Sequence, residues 1–134
     1  EEYLEAHPED HRAWWELAYI YENRSAYTKE WDKAQEALEK ALDLSSSNSL
    51  YLLHLGWVCW MKGDNEKAES TFRKILDKNP DDFWAHRYLV EILIEEGREK
   101  EAKEELAFML ERSSEGEMAY NWAEERLKEL KGAS

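Results

Sequence analysis

Cysteine, proline and basic residues are all scarce in this chain of 134 residues. The single cysteine, Cys59, excludes an intrachain disulfide and any multi-cysteine metal site. It sits in an apolar run, where a thiol acts as a small buried hydrophobe, and a reducing, cytoplasmic setting is expected. Pro8 and Pro80 are the only prolines, so long stretches are free to be helical. Against 31 Asp and Glu stand 18 Lys and Arg, a formal net charge of −13. That balance, with no basic run to offset it, opposes phosphate backbones and anionic membrane surfaces. Nucleic-acid binding and membrane insertion are therefore not expected.

Catalytic signatures are missing too. There is no Gly-rich phosphate loop, no HExxH segment and no Ser/His/Asp spacing. His7, His11, His54 and His86 never pair at i, i+4 on one uninterrupted helix, since His7 and His11 straddle Pro8. Zinc wants three or four converging ligands, so no metal or cofactor is expected. Pairs such as Glu95–Glu96 and Glu104–Glu105 read as solvated helix faces. The chain reads as a non-enzyme. Nor is there a long apolar run: LYLLHLGWVCWMKG, Leu50 to Gly63, stops after about a dozen residues, where a membrane span needs roughly 20.

What is present is aromatic and periodic. Seven tryptophans are many for this length. At a shift of 34 residues Ala34, Ala68 and Ala102 coincide, as do Leu38, Phe72 and Leu106. Ala41, Ile75 and Met109 follow, then Leu42, Leu76 and Leu110, all at helical spacing. A second helical pattern upstream carries Leu17, Leu55 and Leu89, with four extra residues falling between Asn23 and Lys29. Gly63 and Gly97, also 34 apart, suit the left-handed residue that ends a helix, and Asp64 suits the cap of the next. Helices are expected at 11–24, 30–44, 49–62, 65–78, 82–96, 99–112 and 116–131, with 1–7 as the last turns of another. No segment alternates like a strand, so the fold class is all-α.

These residues resemble the tetratricopeptide repeat family, whose pattern is W-x2-L-G-x2-Y, then A-x3-F, then P. The first part stands here as Trp14, Leu17, Ala18, Tyr21, then Leu52, Leu55, Gly56, Cys59, then His86, Leu89, Val90, Leu93. The second stands as Ala34 with Leu38, Ala68 with Phe72, and Ala102 with Leu106; the final proline is Pro80, with Ser46 and Ser114 at the equivalent places. The resemblance implies a right-handed superhelix of three helix-turn-helix repeats, at 11–48 with the insertion, 49–82 and 83–116. A capping helix at 117–131 and a tail at 132–134 would close it. Residues 1–10 read as the end of a preceding helix or an N-terminal extension.

In that family the first helix of each repeat packs its partner with one face and lines a concave groove with another. On the Leu50–Lys62 helix, Leu52, Leu55, Gly56 and Cys59 lie on one side, and Leu50, Leu53, Trp57, Trp60 and Met61 on nearly the opposite one. Tyr51 and Val58 fall between, where a stacked neighbour would pack. By the resemblance, the second set faces the groove. The equivalent faces supply Arg12, Trp15, Tyr19, Glu22 and Asn23 from the first repeat, and Trp84, Arg87, Glu91, Ile94 and Glu95 from the third. Met118, Asn121 and Glu125 would follow from the closing helix. Trp14, Trp31 and Trp122 read as packing residues. Some modules of this family hold an acidic peptide tail through Lys, Asn and Arg; here the corresponding positions are mainly Trp15, Tyr19, His54, Trp84 and Tyr88. Four groove indoles exposing ~100 Å² each would make a patch of ~400 Å², and covering it would return ~10 kcal/mol before association costs.

The expected function is thus a protein-interaction scaffold, an adaptor or co-chaperone-like module. It would bind an apolar or aromatic-anchored peptide or amphipathic helix, with basic flanks facing Glu91, Glu95 and Glu125. The alternative is a section of a longer solenoid, or a homodimer, with the groove filled in cis or by another copy.

Overall fold

Helix ends are set here by glycines and short acidic or amide caps. The computed structural model describes residues 2–28, 30–46 and 48–133, with backbone alone at Glu2, at 24–28 and at Ala133. Among the described residues there are eight helices and no strand. They are α1 (Glu2–Ala6), α2 (His11–Thr28), α3 (Trp31–Leu44), α4 (Ser49–Met61), α5 (Asn65–Lys78), α6 (Phe83–Glu95), α7 (Glu99–Arg112) and α8 (Met118–Ala133). Gly63 and Gly97 take φ of +90° and +76°, as expected of them. At each, the next amide reaches back five residues, Asp64 N–H to Cys59 O at 2.9 Å and Arg98 N–H to Leu93 O at 2.8 Å. Those bonds satisfy carbonyls that a helix end would otherwise orphan. Asp64 then caps α5 by accepting from Lys67 N–H, and Asp10, Asn48 and Asp82 do the same for α2, α4 and α6.

The four extra residues near Asn23 lengthen α2 instead of making a loop. That helix runs 18 residues, to Thr28, where 11–24 was expected. The side chains of 24–28 and the whole of Lys29 lie outside the described residues. At the other end α8 continues to Ala133 through most of the expected tail.

The chain divides into two compact units, Glu1–Ile75 and Leu76–Ser134. In the first, α2 packs on α3 and α3 on α4. Ala18, Ala34, Ala37 and Ala41 are buried beside Leu38, Leu52, Leu55, Val58 and Phe72. The small side chains let the helix backbones approach, and the large ones fill what remains. Gly56 is the tightest point: a β-carbon there would sit 2.6 Å from the buried Phe72 ring. Cys59 is buried in the same core, which pushes its thiol pKa up to about 11 and leaves it unreactive.

In the second unit α6 packs on α7 and α7 on α8. Leu89, Val90, Leu93, Ala102, Leu106, Met109, Ala123 and Leu130 form its core. One polar group is sealed into that unit. His86 is 5% exposed, with Nδ1 at 2.9 Å from a Glu105 carboxylate oxygen and Nε2 at 2.6 Å from the Pro80 carbonyl. Neither partner can donate, so both ring nitrogens are satisfied only as N–H donors, which is the imidazolium. Burial by itself would lower the His86 pKa. The bonds to Glu105 and Pro80, with the nearby Asp82 charge, outweigh it and raise the pKa above its ordinary value.

Gly56→Ala forces Phe72 or the α4 backbone to shift, and should lower unfolding free energy in urea by about 1–3 kcal/mol. A neutral result would mean that the Phe72 ring has room to move. His86 should make stability pH-dependent with a definite sign. Because the folded pKa is raised, its contribution is whole below the unfolded value of about 6.5 and fades as pH climbs through the folded value. Thermal melts across that window should show the melting temperature falling, and His86→Gln should flatten that part of the profile.

Candidate interaction surface

The expected groove residues of the first unit come from α2 and α4. On α2, His11, Trp15, Tyr19 and Glu22 recur at helical spacing on the side turned to α4. His11 Nδ1 meets the Tyr51 hydroxyl at 2.7 Å. The Trp15 ring stacks on Tyr51 at 6.2 Å and meets His54 edge-on at 5.9 Å, while Tyr19 also reaches His54. Glu22 closes the row. Its side chain is 5% exposed, and both carboxylate oxygens face His54 Nδ1, at 2.9 and 3.1 Å. A buried carboxylate needs such a partner, because leaving it alone costs several kcal/mol. The Trp15 indole Nε1 is buried in this row with no hydrogen-bond partner.

Of the sequence-predicted residues here, Tyr19, Leu50 and Met61 are the most open, at 50%, 48% and 41%. Trp15, Leu53, Trp57 and Trp60 are half-buried. Trp57 is turned toward α3, where its ring meets Trp31 edge-on at 5.4 Å. Arg12 is exposed and pairs with Glu16 at 3.5 Å. Tyr51 and Val58 are buried. The apolar area on offer is therefore smaller than full exposure of every indole would give, and aliphatic and tyrosine side chains make up much of it.

The second unit carries Trp84, Arg87 and Glu91 on α6. Trp84 is 42% exposed, with its ring beside Phe83 at 5.2 Å and Tyr88 at 6.0 Å. Trp122 of α8 meets Phe83 edge-on at 6.0 Å and borders the core, a packing role as expected. The Arg87 guanidinium lies 5.3 Å from the Trp84 ring centroid and 5.7 Å from that of Trp122. Glu91 is held by Arg126 through two bonds, at 2.8 and 2.9 Å.

The pairing of Glu22 with His54 and of Glu91 with Arg126 escaped the sequence reading, which set both acids on groove-lining faces. A signal for the first was present: His54 is the one polar residue in an otherwise apolar stretch of α4. Among the described residues no group of three or more His, Cys, Asp or Glu could hold a metal ion. No helix among them is long and apolar enough to cross a membrane.

Glycine-closed helices at a spacing of 34 residues, alanine-lined contacts between successive helices, and aromatic faces left on α2, α4 and α6 define a helical-repeat protein. Family models described as tetratricopeptide repeat match residues 60–113 in one case, and 1–30 and 27–83 in another. The chain belongs to the tetratricopeptide repeat family, which is generally a non-catalytic scaffold for protein interaction. BBSome complex member BBS4 of Bos taurus is 33% identical over 67 residues, a match that spans 50% of this chain but only 13% of that protein.

Solved structures agree on the fold. The Arabidopsis OM64 TPR domain superposes with a TM-score of 0.68 at 19% identity, covering 89% of this chain and 94% of that one. The Yersinia enterocolitica type III secretion translocator chaperone SycD gives 0.69 at 16%, over 88% and 83%. The first TPR of Spaghetti (RPAP3), bound to the HSP90 peptide SRMEEVD, gives 0.66 at 17%, over 89% and 94%.

Trp57 and Tyr19 should separate packing from presentation. Trp57→Ala uncovers Trp31 and should lower stability by about 2 kcal/mol. Tyr19→Ala, at an open position, should stay within about 0.5 kcal/mol of the parent. Urea unfolding of the two variants side by side checks the pair, and equal losses would contradict the assignment.

Proposed function

We propose that the chain is a protein-interaction scaffold, adaptor or co-chaperone-like, that captures a peptide or amphipathic helix through apolar anchors. The observation that carries this reading is α4. Its other sides are already buried, yet Leu50 and Met61 stay open beside half-buried Leu53, Trp57 and Trp60. Tyr19 adds an open aromatic from α2. Aromatic and aliphatic groups of this kind form interface hot spots, and a helical ligand would meet them with residues at i, i+3 or i+4, and i+7. In this reading the first unit offers Arg12, Trp15, Tyr19, Leu50, Leu53, Trp57, Trp60 and Met61, and the second unit offers, as a set of its own, Trp84, Arg87 and Glu91. The chain does no catalysis in this reading, and works in the cytoplasm.

A second reading has its own observation. In the first unit a cavity of about 380 Å³ is lined by apolar Leu4, Trp14, Leu17, Tyr21 and Ala37 together with Glu5, Lys33, Glu36 and Lys40. Such a hollow suits a further helix, from a longer array or from a second copy, and light scattering on the isolated chain addresses the second of these.

A peptide library displayed on phage tests the scaffold reading. Enriched peptides should carry apolar anchors at helical spacing. Tyr19→Ala with Met61→Asp should weaken them at least about tenfold, the worth of roughly 1.4 kcal/mol, with the melting temperature nearly unchanged. Peptides that bind this variant as tightly as the parent would sink the proposal.

A further inference from the structure

The cavity of the first unit lies away from the aromatic row between α2 and α4. Trp14, Leu17 and Tyr21 line it from α2, on a different side of that helix from Trp15, Tyr19 and Glu22. Leu4 of α1 and Ala37 of α3 complete the apolar wall, while Glu5, Lys33, Glu36 and Lys40 are its exposed members. Size bears on what it can hold. A cavity of about 150 Å³ takes a benzene ring, and this one measures about 380 Å³. That is room for roughly two fused rings, or an acyl chain of similar bulk. One turn of helix, about 10 Å across and about 5.4 Å high, fills roughly 420 Å³. A helix could therefore insert only side chains here, whereas a small molecule fits whole.

The walls also carry a sign of charge. Trp14 Nε1–H donates to the Pro8 carbonyl at 2.9 Å, which fixes the indole plane. Lys40 Nζ lies 4.5 Å from the centroid of that ring, and Lys33 Nζ lies 5.8 Å from that of Tyr21. Both ammonium groups are thus drawn to the aromatic walls. Their carboxylate contacts are long, Lys40 with Glu36 at 3.4 Å and Lys33 with Glu30 at 3.8 Å. A charge-assisted bond runs to about 2.7–2.9 Å, and an ammonium has three donors, so donors remain for a further anion. A cationic ligand would instead meet rings already faced by ammonium groups.

We propose that this cavity binds a small apolar monoanion, an aryl or acyl acid. Its hydrocarbon body lies against Trp14, Leu17 and Tyr21, and its anionic group meets Lys40 and Lys33. The site belongs to the first unit alone and goes beyond the scaffold reading. Apolar contact supplies most of the affinity. The lysines select the charge, and their share is modest because both are exposed on a chain of net charge −13.

Naphthalenesulfonate, naphthalenemethanol and naphthalenemethylammonium share one ring system and differ in charge, which makes them the probes. Each is titrated into the nitrogen-labelled chain while the indole N–H resonances of the seven tryptophans are followed, assigned by single Trp→Phe variants. The Trp14 resonance should move, with a Kd for the sulfonate below ~1 mM and affinity falling from sulfonate to alcohol to ammonium. Lys33→Gln combined with Lys40→Gln should weaken the sulfonate about threefold to tenfold and leave the alcohol within about twofold. The unchanged alcohol guards against a folding defect. Decanoate run beside the sulfonate tells an acyl from an aryl preference. A Trp14 resonance silent to every probe at ~1 mM, or shifts confined to Trp57 or Trp84, would overturn the inference. So would an ammonium bound as tightly as the sulfonate, or an order that survives the double variant. None of these results involves Tyr19 or Met61, so the scaffold reading is decided separately.

Discussion

Phe72 reaches the backbone of α4 only because position 56 has no side chain, and the arrangement of the first unit follows from that approach. With the Gly56 side of α4 pressed against the ring, the rotation of α4 about its own axis is set. Tyr51 and His54 are then aimed at α2, Trp57 at α3, and Leu50 and Met61 at neither. A close-packed core admits few alternatives, so one missing β-carbon decides which apolar side chains of α4 stay exposed.

The excess of acid is handled by local matching. Where carboxylates are drawn away from water, each has a cationic or N–H partner: Glu22 with His54, Glu105 with His86, Glu91 with Arg126. Two of these partners are histidines on first helices, α4 and α6, reaching the helix packed beside them. Burying a carboxylate alone would cost several kcal/mol, whereas a bonded pair comes near to balance. Among the described residues most of the remaining acids are on exposed faces, where water solvates them. The large apolar side chains left open on α2, α4 and α6 include Tyr19, Leu50, Met61 and Trp84.

Membership of the tetratricopeptide repeat family supplies an architecture; the side chains mounted on it choose the partner. The solved relatives include a chaperone and a module bound to an acidic peptide, at identities that speak for the fold alone. Their shared backbone says nothing about Trp15, Tyr19 or Trp84. In this chain Trp15 and Tyr19 stand beside His54, and on the second unit Arg87 lies over the Trp84 and Trp122 indoles.

The repeat spacing, helix order and glycine stops were legible in the residues, because they depend on local rules. A Gly that can take positive φ ends a helix wherever it falls, and alanines at a shift of 34 bury together in any stack of equal repeats. The fate of the four extra residues near Asn23 was not legible, since helix and loop both accommodate them; α2 simply continues to Thr28. Nor could spacing tell that Glu22 and Glu91 are held internally, that Trp57 leans on Trp31, or that Arg87 has two indoles and no acid. Each depends on which side chain of a second helix stands opposite, a distance that periodicity along one helix does not contain. The sequence by itself determined the class of fold and the faces that could be apolar. Only the tertiary structure decided which groups on those faces remain unsatisfied, because that is a property of pairs of helices.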